Sequence, residues 1–204
     1  FVATNLTSGR GGVGSTFGPA DWDHAIRFGL RPNGTSLQYV MPFRLFNRLS
    51  DTDLAALVSY LESVPAVANP LPPTRVNLLG DLLVALSSTD ELRGTLRHPP
   101  RANPRAGTAA YGEYLASTTC AECHGERLRG GTHRDPVGRP GPSLLRSAQW
   151  SLEDFGTAVR TGVAPDGRTL SPWMPLADFV TLTDDEVQAL YLYLRTLPAD
   201  PIDS

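Results

Sequence analysis

Lysine is absent from this chain: all 18 basic residues among its 204 are arginine, an imbalance that reads mainly as genomic composition. Cysteine and methionine occur twice each. No stretch approaches the roughly 18 to 20 apolar residues that a membrane span requires. The nearest, Val76 to Leu86, is interrupted by Asn77, Gly80 and Asp81, so no transmembrane segment is expected. A strongly basic surface is missing as well. Net charge is -3, distributed as zero over residues 1–65, +2 over 66–105 and -5 over 106–204. Such a balance argues against nucleic acid as a partner. The first residue is Phe rather than Met, and no signal peptide is visible, so Phe1 is read as a processing product or an arbitrary start.

What is present suffices for folding. Apolar residues make up 41% of the chain and charged residues 19%, ordinary for a globular protein. The length allows one or two modest cores. An offset of 133 residues aligns Phe17–Pro65 with Trp150–Pro198 without a gap, with about a third of the pairs identical. Among them are Asp21 with Asp154, Arg27 with Arg160, Gly29 with Gly162, Gly34 with Gly167, Met41 with Met174, Pro42 with Pro175, and Tyr60 with Tyr193. Two tandem domains are therefore expected: a first over residues 1–65, a Pro-rich linker over 66–104 with a short helix near Val76–Leu86, and a second over 105–204.

Each repeat reads as a helix near 20–29 (151–162), a Pro and Gly turn, an extended Met-Pro loop and a helix near 51–63 (184–197). The fold class is all-α. Thr183 with Glu186 three residues on forms a capping box, and Leu190, Leu194 and Leu197 supply the helical stripe. A further helix is predicted over Thr108–Thr118, with Gly112 permitting close approach of Leu190 and Tyr193 on the last helix.

Both cysteines fall in one motif, Cys120-Ala121-Glu122-Cys123-His124. Two thiols separated by two residues on one turn of chain can bond the two vinyl groups of a single haem, and the adjoining imidazole then reaches the iron. A structural zinc site wants four N or S ligands, and no second cysteine pair exists to complete one. A thioredoxin-like pair belongs in a strand-helix-strand pattern that this chain lacks. Haem c at Cys120 and Cys123, with His124 as iron ligand, is the reading that fits.

Met is more often a core filler than a ligand. Here the two methionines occupy equivalent repeat positions, each followed by Pro, and Met174 is flanked by Pro172, Trp173 and Pro175. A thioether on such a loop can face the iron opposite His124, so Met174 is the expected second axial ligand. His24, His98 and His133 read as ordinary surface or helix histidines. Arg127, Arg129, Arg134 and Arg139 follow the motif and read as a solvated loop, with steering of an acidic partner or contact to haem propionates as the alternative.

Taken together, Gly112, the C-x-x-C-H, "GPSL" at Gly141–Leu144, "WSLEDF" from Trp150, "PWMP" ending at Pro175 and "LTDDEVQALYLYL" from Leu182 resemble the class I cytochromes c. The likeness is strongest to the multihaem cytochrome subunits of bacterial membrane-bound alcohol, aldehyde and sugar-acid dehydrogenases. The resemblance implies that the Pro142 carbonyl accepts the free N–H of His124. It also implies covalent haem attachment outside the cytoplasmic membrane, hence a periplasmic or extracellular location. In the first domain the resemblance starts at "NLT" and "GVG" and continues through "YVMP". The counterpart of Cys120 would lie before Phe1. The first domain is thus expected to lack its N-terminal helix, cysteines and proximal histidine within this sequence, with Met41 ligating a second haem whose other ligands lie outside it.

The resulting expectation is a one-electron carrier, not an enzyme by itself, dihaem in its complete form and working with redox protein partners in a larger membrane-associated complex. Two filled axial positions leave no open iron site for a substrate. A haem enzyme or gas sensor with a displaceable Met174 is the alternative, and a structural docking subunit of a respiratory or photosynthetic assembly is a third reading.

Overall fold

A computed structural model describes residues 2–37, 43–72, 102–131 and 140–198. Met41, His98, His133, Arg134, Arg139 and the expected helix at 76–86 lie outside these segments. The chain divides into two compact units, Phe1–Ala102 and Asn103–Ser204. The described residues form helices, turns and isolated bridges, with no strand among them.

In the first unit, α1 spans Pro19–Phe28. Pro19 suits the first helical turn, where its missing N–H has no partner to lose, and the Asp21 carboxylate accepts the Gly18 N–H at 2.9 Å. A four-residue helix, α2, covers Phe43–Phe46, and α3 runs from Asp51 to Ser63. The Ser50 hydroxyl caps α3 by accepting the Asp53 N–H at 3.0 Å. Trp22, Ile26 and Leu54 make the core, with Phe17, Phe46, Leu49 and Leu57 packed around them. Upstream, the Asn5–Gly14 turns are tied to the chain beyond α3: Asn5 Nδ2 donates to the Val67 carbonyl at 2.8 Å, and the Asn69 N–H to the Arg10 carbonyl at 3.0 Å.

The second unit begins with α4, Ala109–Leu115, capped by the Thr108 hydroxyl. The helical run continues through a wider π-helical turn at Ala116–Cys120 into α5, Ala121–His124. After a loop and a 3₁₀ turn at Leu145–Gln149 come α6 (Leu152–Thr161), α7 (Leu176–Phe179) and α8 (Asp184–Leu194). Thr183 and Glu186 close the predicted capping box on α8. Leu128, Phe155, Val159, Val187, Leu190, Tyr191 and Leu194 form the core.

Helix α4 crosses α8 at Gly112. A Cβ there would clash with the Ala189 carbonyl and sit 2.8 Å from Tyr193 Cβ. The closest approach is to the Ala189 backbone rather than to the Leu190 side chain, because a residue without Cβ lets main chain meet main chain. Equivalent helices differ in what covers them. Ala189 is fully buried under α4, whereas Ala56, its counterpart on α3, is exposed; Tyr60 is 67% exposed, but Tyr193 is half-buried.

The 133-residue offset reappears in the hydrogen bonds. Gly29 and Gly162 end α1 and α6 in the left-handed conformation, at φ 62° and 74°. The Leu37 N–H reaches the Gly29 carbonyl at 2.6 Å, and the Leu170 N–H reaches that of Gly162 at 2.7 Å. Isolated bridges join Leu30 to Ser36 and Val163 to Thr169. The Met-Pro segment of the second unit, read from sequence as extended throughout, contains the short α7. Four residues are too few for periodicity to reveal a helix.

Candidate functional site

Because the helical run is unbroken from Ala109 to His124, the two thiols and the imidazole ride on one rigid support. The π-helical turn carries Cys120, whose side chain packs on the core of the second unit. Thr118 and Thr119 hydroxyls donate to the Tyr114 and Leu115 carbonyls at 2.9 and 2.6 Å, which helps satisfy backbone groups where the ladder changes register. Both thiols are free and half-buried. Burial pushes each up from its ordinary range. At Cys120 the neighbouring Thr119 hydrogen bond opposes that rise and the Cys123 charge adds to it; at Cys123 the Glu122 carboxylate adds to it. Both therefore stay protonated near neutral pH.

Residues after His124 fold back to hold its ring. The Gly130 N–H donates to the His124 carbonyl at 2.9 Å, the Gly141 N–H to the Cys123 carbonyl at 2.7 Å, and a bridge joins Arg129 to Ser143. This brings the Pro142 carbonyl oxygen within 2.7 Å of His124 Nδ1. A carbonyl can only accept, so Nδ1 carries the proton of that bond and Nε2 keeps its lone pair. Burial lowers the basicity of the imidazole, and the Pro142 bond partly offsets this, so the ring stays neutral and able to ligate. Gly141 lies flat on the ring: a Cβ at 141 would stand 2.7 Å from Nδ1.

Sequence reading gives no sign of two further parts. Leu128, 1% exposed, is held at φ 55°, in the left-handed region uncommon for a residue with a side chain, and its carbonyl accepts the Leu144 N–H at 2.8 Å. Arg129, grouped above with the solvated loop arginines, donates to the Pro198 carbonyl at 3.1 Å and so ties the loop to the segment that follows α8. Arg127 is exposed.

Met174 is carried by its own loop and is half-buried beside Trp173, which is 66% exposed. Its N–H donates to the Ser171 carbonyl at 3.0 Å, and its carbonyl accepts the Leu176 N–H at 2.8 Å. His24 stands exposed on α1 with its ring edge to Phe28. Among the described residues no group of three or more His, Cys, Asp or Glu side chains could hold a bare metal ion.

The sequence matches the family Cytochrome c over residues 109–198. That region belongs to the cytochrome c family. Its limits enclose the helical run with both thiols, the His124 loop, the Met174 loop and α8. Relatives that match all or part of the chain include cytochrome subunits of dehydrogenases. The cytochrome c subunit of an alcohol dehydrogenase (quinone) from Gluconacetobacter polyoxogenes is 29% identical over 98% of this chain and 48% of its own length. A fructose dehydrogenase cytochrome subunit from Gluconobacter japonicus is 31% identical over 59% of this chain and 27% of its own. The gluconate 2-dehydrogenase cytochrome c subunit of Pantoea cypripedii is 33% identical over 49% and 26%. The chain thus spans about half or less of the length of these relatives.

The cytochrome c domain has the donor set for covalent haem. Two free thiols three residues apart lie on one helical run, and the adjacent neutral imidazole has one nitrogen fixed and the other available. Haem bound there would bring a one-electron iron couple, and these residues would supply its attachment, the ring orientation and a hydrogen bond that makes the imidazole a stronger donor.

Proposed function

We propose that this chain is an electron-transfer cytochrome holding haem c through Cys120 and Cys123, with His124 and Met174 as axial ligands. The observation that carries the reading is the 2.7 Å contact of His124 Nδ1 with the Pro142 carbonyl beside the free thiol pair, inside the region that matches the Cytochrome c family. A histidine so tied leaves the lone pair of Nε2 available to ligate iron. With a thioether opposite, both axial positions are filled, which favours one-electron exchange over substrate chemistry.

A second haem, ligated by Met41, completes a relay. Its support is the repetition of hydrogen bonds at the 133-residue offset around the segment that bears each methionine. The relatives' names point to partners: the chain passes electrons as a subunit of a membrane-associated dehydrogenase complex, on the outer side of the cytoplasmic membrane. No described helix is long and apolar enough to cross a bilayer.

Intact mass combined with a pyridine haemochrome assay tests the proposal. One covalently bound haem per chain of residues 1–204 is expected, with slow binding of carbon monoxide to the reduced protein. A haem-free mass would overturn the carrier reading, and rapid carbon monoxide binding would favour the sensor or enzyme.

A further inference from the structure

Resting on the ligand assignment just made, we propose that Arg160 is a positioning residue that closes the base of the Met174 loop and so holds the thioether on the iron. Arg160 lies in the last turn of α6, and the loop from Gly162 to Thr183 leaves from there and ends at the start of α8. One guanidinium nitrogen of Arg160, Nη2, donates to the Leu182 carbonyl at 2.9 Å and to Asp184 Oδ1 at 2.7 Å. The latch therefore joins the two ends of the segment that carries Met174.

The first unit repeats it atom for atom. Arg27 Nη2 donates to the Leu49 carbonyl at 2.6 Å and to Asp51 Oδ1 at 2.9 Å, and each of these residues lies 133 positions before its counterpart. Arg27 adds a bond to Asp23 at 2.8 Å, a position taken by Gly156 in the second unit. Surroundings differ: Arg27 is 5% exposed, whereas the Arg160 side chain is far more open. The geometry survives that difference.

Stability alone is a weak reason for such an arrangement. Burying a guanidinium carries a desolvation cost, and exposed ion pairs contribute little. Geometry is the stronger reason. The two N–H bonds of Nη2 lie in the fixed guanidinium plane, so meeting a carbonyl and a carboxylate at once sets direction as well as distance. It joins the ends of a long loop whose closure otherwise costs chain entropy. With the latch gone, α6 and α8 remain packed through Phe155, Val159, Val187 and Tyr191, but the loop base is free to splay. The sulfur is then the ligand lost first, because a thioether is a neutral ligand held by the loop alone, while His124 is held by the thioether-linked helix.

The test uses the haem-loaded chain, with denaturant titration of Arg160→Ala, Arg160→Lys and Met174→Ala. Two signals are followed: the far-red charge-transfer absorption of Met–iron ligation in the oxidised protein, and helical circular dichroism. In the parent protein the two midpoints should coincide. In Arg160→Ala the absorption should vanish at clearly lower denaturant than the helix signal, with covalent haem content unchanged. Arg160→Lys, which keeps the charge but not the planar, fixed direction of the Nη2 hydrogens, should show the same separation to a smaller extent, and it serves as the readout if the alanine variant does not accumulate. Coincident midpoints in both Arg160 variants would overturn the latch while leaving the ligand reading intact. Persistence of the absorption in Met174→Ala would overturn both.

Discussion

Substituting Gly112 by Ala tests whether the crossing of α4 over α8 organises the second unit. A methyl group at 112 clashes with the Ala189 carbonyl and falls 2.8 Å from Tyr193 Cβ, where ordinary contact begins at 3.4 Å. Restoring contact at Tyr193 alone separates the helices by about 0.6 Å, and gaps of 0.5 to 1 Å forfeit a quarter to a half of the dispersion attraction between facing atoms. Overpacking of this kind costs about 1 to 3 kcal/mol, and an obstruction made of backbone, which cannot rotate away, belongs at the upper end. Alanine returns about 1 kcal/mol through its higher helix propensity. A net loss of about 2 kcal/mol remains, which for a domain of this size lowers Tm by roughly 8 to 16 °C. Thermal melts of the holoprotein, followed by haem absorbance and circular dichroism together, measure it. Gly131→Ala, where nothing lies within 4 Å, is the control and should melt with the parent. A Tm for Gly112→Ala equal to or above the parent's would refute the close-crossing argument.

Thr183→Ala removes the hydroxyl that accepts the Glu186 N–H at 3.3 Å and should destabilise the second unit by about 1 kcal/mol, whereas Thr183→Ser should restore it; equal denaturant midpoints for all three proteins would show the cap to be idle. Gly141→Ala places a methyl group 2.7 Å from His124 Nδ1 and must push the Pro142 loop from the ring. Weakening that hydrogen bond makes the imidazole a poorer donor to ferric iron, so the reduction potential should rise with haem content unchanged. Voltammetry that finds no shift would dissociate the Pro142 contact from the properties of the iron.

Divergence between the two repeats locates what their folding depends on. Side chains along α1 and α6 differ at most positions, and Trp22 stands where the second unit has Phe155. The arginine fork, the left-handed glycine that ends the helix and the main-chain bond that follows it persist. A hydrophobic core tolerates exchange of apolar residues of similar volume. A guanidinium nitrogen that must meet one carbonyl and one carboxylate leaves fewer residue types that fit.

By itself the sequence determined the helices with strong local signals: α3 with its Ser50 cap, α8 with its Thr183–Glu186 box, and the run of chain through Gly112 to the C-x-x-C-H. These are short-range facts, because a cap or an apolar stripe is complete within a few turns of one helix. It also singled out Cys120, Cys123 and His124, since their chemistry lies in spacing along the chain. Only the tertiary structure decided what lies far apart in sequence: the Ala189 carbonyl against Gly112, the Leu128 backbone at φ 55°, Arg129 on the Pro198 carbonyl, and Arg160 reaching across its loop to Leu182 and Asp184. Apart from the Arg160–Asp184 ion pair, each of these contacts uses backbone atoms or backbone conformation. Every residue carries the same backbone, so no residue letter announces which carbonyl will be met until the chain has folded.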